Sequence, residues 1–297
     1  MCALENCASY GVRALDMQVF MKKGIPIVST TSFSQNVIKE TFNEIELERA
    51  LGFINDIYFV KDYFIENGVN DVKNNLKSDP LFLILRLHYG NNKDAQDETT
   101  EDKRVKQRNF YHKVYNNIIE SFDGDKLNVN GSKMVFSSDN PRHVAVPNIK
   151  MTDTKNRVFI FVILNDEPNY ENIKNSSLEQ VVDLYGEDLD HFRFNELNQS
   201  DGAYVMNKYK SQSNLSFCMP AWSSHHGNYD FTQALKKGTQ FVGMNYQNHD
   251  DYLNHYNEFF IEQMGGGSNT ITSPYIKKPD HMIDIQLGVT FDEAVSN

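Results

Sequence analysis

A single carboxylate interrupts an apolar stretch near the amino terminus. Asp16 lies within "VRALDMQVF", whose apolar residues predict a β-strand. After a short turn and a second strand-like run, "IPIV", three hydroxyl side chains follow at positions 29–31. A hydroxyl cannot act as a base near pH 7, so the stretch offers an acid but no group that could take a proton from a substrate.

Histidines are the side chains that could supply such a base. His88 follows an apolar run and is therefore expected near the end of a strand. His225 and His226 are adjacent, and only one of two adjacent side chains on a strand can enter a site. A structural role is the favoured interpretation of each, and His88 and His226 remain the catalytic candidates. The sequence contains no H-E-x-x-H, C-x-x-C or G-x-S-x-G motif.

Composition excludes several classes of function. The 297 residues carry a formal net charge of −11, which disfavours nucleic acid and anionic membranes as partners. No apolar run approaches the roughly 20 residues of a membrane span, and the amino terminus lacks a basic segment typical of secretion. Cys2, Cys7 and Cys218 form an odd set without zinc spacing, which favours a reducing compartment.

Buried-type strands alternate with amphipathic helices along the chain. "DPLFLILRLHY" and "RVFIFVIL" predict strands, and "NFYHKVYNNIIESFDG" predicts a helix that ends at Gly124. "SSLEQVVDLYG" predicts another helix, capped by Ser176 or Ser177. This order predicts parallel β/α units in an α/β fold.

A closed barrel in one domain over residues 1–267 is the favoured architecture, and an open doubly wound sheet is the alternative. No glycine-rich phosphate loop supports a nucleotide-binding version of the open sheet. Residues 91–106 form a polar charge run, for which we expect a mobile loop. Residues 268–297 lack a clear period and are interpreted as a tail.

Five stretches, taken in order, resemble the phosphatidylinositol-specific phospholipase C family of phosphodiesterases. The resemblance covers residues 10–265, and the Ser/Thr run followed by "IKETFNEI" resembles divergent versions encoded by large DNA viruses. The stretches are "YGVRALDMQVFMKKGIPIVS", "DPLFLILRLHY", "FYHKVYNNIIESFDGDKL", "MPAWSSHHGNYDFTQALKKGTQFVGMNYQ" and "YNEFFIEQMGG".

The resemblance implies a distorted (β/α)8 TIM barrel with its chemistry at the carboxyl ends of the strands. It also implies two histidines as general base and acid, often with Ca²⁺. The first histidine belongs to a strand that would precede Met1, so we expect a barrel that lacks or replaces its first strand.

The family's functional positions fall on residues with different chemistry. Thr30 lies in the run where the second histidine is expected, and Arg86 lies where the family has an acid. Asp16 matches the first metal ligand, but Gln18, at the second, is neutral. Phe217 and Met219 precede Pro220 where the family has substrate-binding Arg and Tyr. We expect Asp16 to pair with Arg86, because an unpaired buried charge is costly and Arg suits carboxylate pairing.

Two functions follow from these residues. The favoured one is a non-catalytic structural or interaction protein, cytoplasmic or part of a virion, with a protein partner or assembly because a missing strand leaves an open sheet edge. The alternative is a phosphoric diester hydrolase acting on phospholipid or inositol phosphate, with His88 or His226 as base. No cofactor is expected, and Ca²⁺ would bind only in a retained family site; passive lipid binding is a weaker hypothesis.

Overall fold

The computed structural model describes most of the chain in two compact units. The described residues are 2–29, 44–59, 79–89, 100–124, 133–139, 149, 151–164, 170–197, 215–221, 227–236, 238–262 and 275. The first unit holds residues 1–187 and 269–273, and the second holds residues 188–268 and 274–297. Among these described residues, no helix is long and apolar enough to cross a membrane.

The first unit contains a mixed six-stranded sheet in the order β3-β2-β1-β4-β5-β6. The pairs β1–β4, β4–β5 and β5–β6 are parallel, whereas β1–β2 and β2–β3 are antiparallel. The strands are β1 (Ala14–Lys22), β2 (Ile25–Val28), β3 (Ile45–Glu46), β4 (Leu81–His88), β5 (Val158–Leu164) and β6 (Leu184–Tyr185).

Five α-helices accompany this sheet in the described part of the first unit. They are α1 (Cys2–Ser9), α2 (Leu47–Phe59), α3 (Thr100–Ile118), α4 (Phe136–Asp139) and α5 (Glu171–Lys174). The end of α3 widens into a π-helical turn, Ile119–Asp123, which stops at Gly124 as predicted. Short 3-10 turns lie at Met151–Thr154, Ser177–Val181 and Gly186–Asp188.

Alternation along the strands divides the sheet into two faces. One face packs against α2 and α3 in a core that includes Val19, Leu51, Leu83, Phe110 and Ile160, all fully buried. The opposite face is aromatic near the amino ends of the strands, where Phe82 stacks on Phe159 with ring centroids 5.0 Å apart. The polar side chains of this opposite face lie towards the carboxyl ends of the strands.

The second unit contains a parallel sheet in the order β7-β8-β9. The strands are β7 (Asp190–Arg193), β8 (Ser216–Met219) and β9 (Phe241–Val242), with helices α6 (Thr232–Lys236) and α7 (Asp251–Glu262) and a 3-10 turn at Phe194–Glu196. The core is built from buried side chains of strands and helices, among them Phe192, Cys218, Tyr229, Phe231 and Ala234. Cys218 is a free thiol whose pKa burial raises to about 11, so it is an unreactive core residue.

The structure confirms the mixed α/β class with a parallel sheet and differs from two local predictions. Residues 100–106 belong to α3, so only the part of the expected loop before Thr100 remains, and it lies outside the described residues. Ser176 donates to the Ile173 carbonyl instead of capping a helix, and the chain from 177 to 185 forms a 3-10 turn and β6. Closure of the sheet into a barrel stays a prediction. Of the proposed tail, residues 268–297, Tyr275 alone belongs to the described residues.

Candidate functional site

The pairing of β1 with β4 creates a polar row at the carboxyl end of the first sheet. Gln18 pairs with Arg86, and two residues further on Phe20 pairs with His88. Register partners on parallel strands share a face, so these four side chains lie on the face opposite the helix-covered core. The Ser29 backbone N–H donates to the Gln18 carbonyl at 3.2 Å and brings the end of β2 beside this row.

Asp16 and Arg86 form the expected ion pair. Arg86 Nε donates to both carboxylate oxygens of Asp16, at 2.8 Å to Oδ1 and 2.9 Å to Oδ2. The Arg86 side chain is 10% exposed and the Asp16 side chain 25% exposed, so the contact is shielded from most of the solvent. Such a charge-assisted pair satisfies the acid that interrupts the apolar strand.

His88 lies at the last position of β4 and stacks on Phe20. The ring centroids are 4.3 Å apart and the planes are inclined by 14°. This placement, at the carboxyl end of a central strand, is the one predicted from the sequence. The aromatic contact fixes the orientation of the imidazole against β1 and gives it a structural role whatever else it does.

Ser29 contributes a buried hydroxyl to the same end of the sheet. The residue is 6% exposed, and Ser29 Oγ has no hydrogen-bond partner among the described residues. It occupies the first of the three positions where the family's second histidine was expected. The other two, Thr30 and Thr31, lie outside the described residues, as does His226.

Tyr170 is a polar residue of this region that the sequence patterns did not identify. Its hydroxyl accepts a hydrogen bond from the Leu164 N–H, at the end of β5, at 3.2 Å. Burial raises the Tyr170 pKa, and backbone hydrogen bonds from Leu164 and Gly186 partly offset this effect, as does the nearby charge of Arg86. No motif marks Tyr170; the signal is the glycine at 186, which leaves room for the hydroxyl beside β6.

The second unit holds the positions expected to contact substrate. Phe217 and Met219 lie on one face of β8, both buried, with Phe217 against Phe241 and Met219 beside Arg193 of β7. Arg193 Nη1 donates to the Pro220 carbonyl at 2.9 Å. An arginine of β7 thus lies beside the strand in which the resembled family has a substrate-binding arginine. The sequence patterns did not identify it because they did not predict β7.

Comparison with solved structures finds similarity in fold. PLC21 of S. officinalis superposes with a TM-score of 0.57 at 13% identity, covering 97% of this chain. The fold is phospholipase C-like. This chain spans about 35% of the length of the S. officinalis protein.

A calcium-dependent phosphoinositol-specific phospholipase C from Pseudomonas sp. matches at a TM-score of 0.40 and 12% identity, over 82% of this chain and 83% of that one. No family model matches the sequence, and a search of curated proteins finds no match.

The donors present in this phospholipase C-like sheet do not fit Ca²⁺, which needs several oxygen ligands. The Asp16 carboxylate is held by Arg86 on both oxygens, and Gln18 brings no charge. Within the described ranges, no three His, Cys, Asp or Glu side chains group in a way that could hold a metal ion. The guanidinium instead places a fixed positive charge beside the acid.

Proposed function

We propose that this chain is a non-catalytic phospholipase C-like protein that works through structural or binding interactions. The observation that carries the proposal is the Arg86–Asp16 pair, in which the Arg86 guanidinium neutralises the acid of the sheet. An intact core supports the proposal, because fold and function are separable and a scaffold can persist when a site changes.

Phosphodiester cleavage sets a chemical requirement that this row of residues meets poorly. The attacking hydroxyl must lose a proton while the leaving oxygen gains one, so two groups that titrate near neutral pH are needed. Along the polar row that the structure describes, His88 supplies one imidazole, and the Gln18 amide and the Ser29 hydroxyl cannot take the place of a second proton-transfer group.

A hydrolase acting on phospholipid or inositol phosphate is the second candidate. The observation that favours it is the position of His88 at the carboxyl end of β4, two residues after Arg86 and on the same face of the sheet. In this alternative His88 or His226 is the base, and His226 lies outside the described residues.

A turnover assay separates the two candidates. We would incubate folded protein with phosphatidylinositol vesicles, with Ca²⁺ and with EDTA, and measure released inositol phosphate. His88→Ala is the test variant, and His112→Ala, on the exposed side of α3 and bonded to Ser177, is the matched histidine control. The non-catalytic proposal expects no turnover from any of the three proteins. Turnover that His88→Ala abolishes and His112→Ala retains would establish the hydrolase instead.

Barrel closure, assembly and location are further parts of the proposal. We propose a closed barrel, which the coverage of 97% in the superposition supports and an experimental structure would decide. A protein partner or assembly, a cytoplasmic or virion location and a viral origin of the sequence divergence belong to the same proposal. Sedimentation mass is the first measurement for assembly: a value well above 34.3 kDa supports it, and a monomer at high concentration contradicts self-assembly.

A further inference from the structure

A small pocket lies where the β1–β2 turn meets the start of α2 and the later turns of α3. Its volume is about 180 Å³, and its lining includes Ile25, Glu46, Glu48, Lys113 and Asn117. A cavity of about 150 Å³ can hold a benzene ring, whereas sites for drug-sized ligands measure roughly 300–1,000 Å³. The pocket therefore has the size of one side chain.

The charges that line this pocket favour a cationic side chain. Glu46 and Glu48 are exposed, and among the described residues neither carboxylate takes part in an ion pair. Lys113 is directed to the hairpin, because its Nζ donates to the Gly24 carbonyl. Two carboxylates and one lysine leave one net negative charge, which a guanidinium or an ammonium group would neutralise.

An exposed cationic patch lies on the first turns of α3. Residues 103–108 read "KRVKQR" and carry four positive charges without an acid. Arg104 and Arg108 are exposed and lie one turn apart on one flank of the helix, with the 47% exposed Val105 beside them. Arg104 contacts Glu101 at 3.8 Å, and both side chains are exposed, so this pair contributes little and leaves the patch cationic.

The pocket and the patch each combine charge with an exposed aliphatic side chain. Among the described residues, four large hydrophobic side chains are exposed, and two of them are aliphatic. Ile25, which is 45% exposed, lines the acidic pocket, and Val105 lies within the cationic patch. Apolar contact at the centre and opposite charges around it make the two surfaces complementary.

The pocket and the patch lie on opposite sides of α3. Lys113, in the pocket, follows Arg104 by nine positions, which is two and a half turns at about 3.6 residues per turn. Asn117, also in the pocket, follows Arg108 by nine positions as well. A molecule therefore cannot fill its own pocket with its own patch, and the complementary side chain has to come from another molecule.

We infer that the pocket binds the Arg108 side chain of a second copy of this chain, with Val105 of that copy against Ile25. The contact joins two different surfaces, so copies associate head to tail. The inference deepens the proposed function and rests on it, since it names the partner in the proposed assembly. The net charge of −11 opposes association at long range, but physiological salt screens charges beyond about 8 Å and leaves direct ion pairs in place.

Sedimentation velocity over a range of protein concentrations tests the contact. In 0.15 M NaCl the mean mass of wild type is expected to rise above 34.3 kDa with concentration, and in 1 M NaCl to fall back towards it. Arg108→Ala is expected to weaken association about tenfold or more, as truncation of an anchoring arginine does. Lys236→Ala, which removes an exposed positive charge at the end of α6, is the matched control and is expected to associate like wild type.

A mixture of two variants tests the head-to-tail geometry. Glu46→Gln combined with Glu48→Gln disables the pocket and keeps Arg108, whereas Arg108→Ala keeps the pocket. Neither protein is expected to associate alone. Their equimolar mixture is expected to stop at twice the monomer mass, because one productive contact remains for each pair of molecules.

Three results would overturn the inference. They are a wild type that stays at 34.3 kDa at high concentration, an Arg108→Ala variant that associates like wild type, and a mixture that stays monomeric or grows beyond the dimer. The substituted side chains are exposed, so thermal unfolding is expected to match that of wild type. If Arg108→Ala unfolds at a lower temperature, Arg104→Ala, in the same patch, takes its place.

The proposed function fails by a different measurement. Turnover of phosphatidylinositol by wild type contradicts the non-catalytic proposal and leaves the contact between copies intact. A monomeric wild type without turnover contradicts the contact between copies, leaves the absence of catalysis intact, and makes a basic segment of another protein the next occupant to test.

Discussion

Ser137 Oγ donates a hydrogen bond of 2.5 Å to Oδ1 of the buried Asp183 carboxyl group. The second oxygen of Asp183 accepts the Ile160 N–H at 2.7 Å, so one side chain ties α4, β5 and the residue before β6 together. Arg157, directly before β5, donates to the Phe136 carbonyl, and its positive charge acts to lower the Asp183 pKa. Burial nevertheless dominates and raises the Asp183 pKa to about 7.

The first prediction concerns pH. An unfolded aspartate has a pKa near 3.8, so between about pH 4 and pH 7 the native Asp183 holds a proton that the unfolded chain has released. The free energy of unfolding should therefore fall as the pH rises through this window and level off above pH 7. Asp183→Asn, which mimics the protonated group, should flatten the dependence in urea denaturation at pH 5, 6, 7 and 8.

Asp230→Asn is the matched control for this pH profile. Hydrogen bonds from Thr232 lower the pKa of Asp230 below its ordinary value, so it stays ionised throughout the tested range. The variant should shift stability by a similar amount at every pH. A profile for Asp183→Asn as steep as that of wild type contradicts a titrating Asp183.

The second prediction concerns the ion pair. Arg86→Met leaves Asp16 without its partner in a largely shielded place and should lower the free energy of unfolding by about 2–3 kcal/mol. Adding Asp16→Leu removes the orphaned charge and should bring stability back to within about 1 kcal/mol of wild type. Urea denaturation of the single and double variants measures this coupling.

Lys174→Met, which breaks a more exposed ion pair, is the control for Arg86→Met. Lys174 bonds Glu171 and Glu187, and the three side chains are 37%, 71% and 47% exposed, so these ion pairs contribute little. Its unfolding midpoint should match that of wild type. An equal loss of stability for Lys174→Met and Arg86→Met would show that solvent exposure does not determine how much a broken ion pair destabilises the fold.

The third prediction uses two glycines. A Cβ at Gly186 would lie 2.5 Å from the Tyr170 hydroxyl oxygen and 3.3 Å from Ile163 Cγ1, so Gly186→Ala should cost about 1–3 kcal/mol. Tyr170→Phe removes the closest atom and should recover part of this loss in the double variant. Gly52→Ala, in α2 with nothing within 4 Å, should stabilise by about 0.5–1 kcal/mol. Thermal unfolding orders the variants, and a neutral Gly186→Ala would contradict the close approach.

The fourth prediction concerns the second unit. The Asn228 side chain donates to the carbonyls of Asn245 and Asn248 and to Asp250, and it accepts the Asn245 N–H. Asn228→Ala leaves several of these groups unpaired and should cost about 2–3 kcal/mol in chemical denaturation.

The neighbouring residue Gln247, which is exposed, provides the comparison for this variant, and Gln247→Ala should be neutral. If both substitutions have the same small effect, water replaces the Asn228 contacts and the network does not stabilise the loop.

Strong local patterns made much of the fold predictable. The continuous apolar runs gave β4 and β5 nearly to the residue, and the helical period and Gly124 gave the end of α3. The "SSLEQVV" segment has helical spacing, but the chain must turn at Val182 to place Asp183 and β6 against β5, so tertiary contacts overrode local preference. β7 is short and polar at both ends and carries no alternation signal.

Part of the candidate site was also predictable from local sequence features. The Asp16–Arg86 pair followed from two opposite charges in apolar strands, because an unpaired charge in such a strand is costly. The Phe20–His88 stacking depends on strand register, and Tyr170 reaches the end of β5 from the segment that follows that strand. Neither the register nor the path of that segment is encoded in local periodicity.

The parallel pairing of β1 with β4 joins residues 68 positions apart in the sequence, as the pairing of Gln18 with Arg86 shows (86 − 18 = 68). During synthesis the β1–β2 hairpin can form early, but its neighbour β4 emerges about 60 residues after β2. At about 5–20 residues per second, the open edge of β1 in the nascent hairpin stays unpaired for about 3–12 s before β4 can pair with it. This interval is the time in which a chaperone would have access to the growing chain.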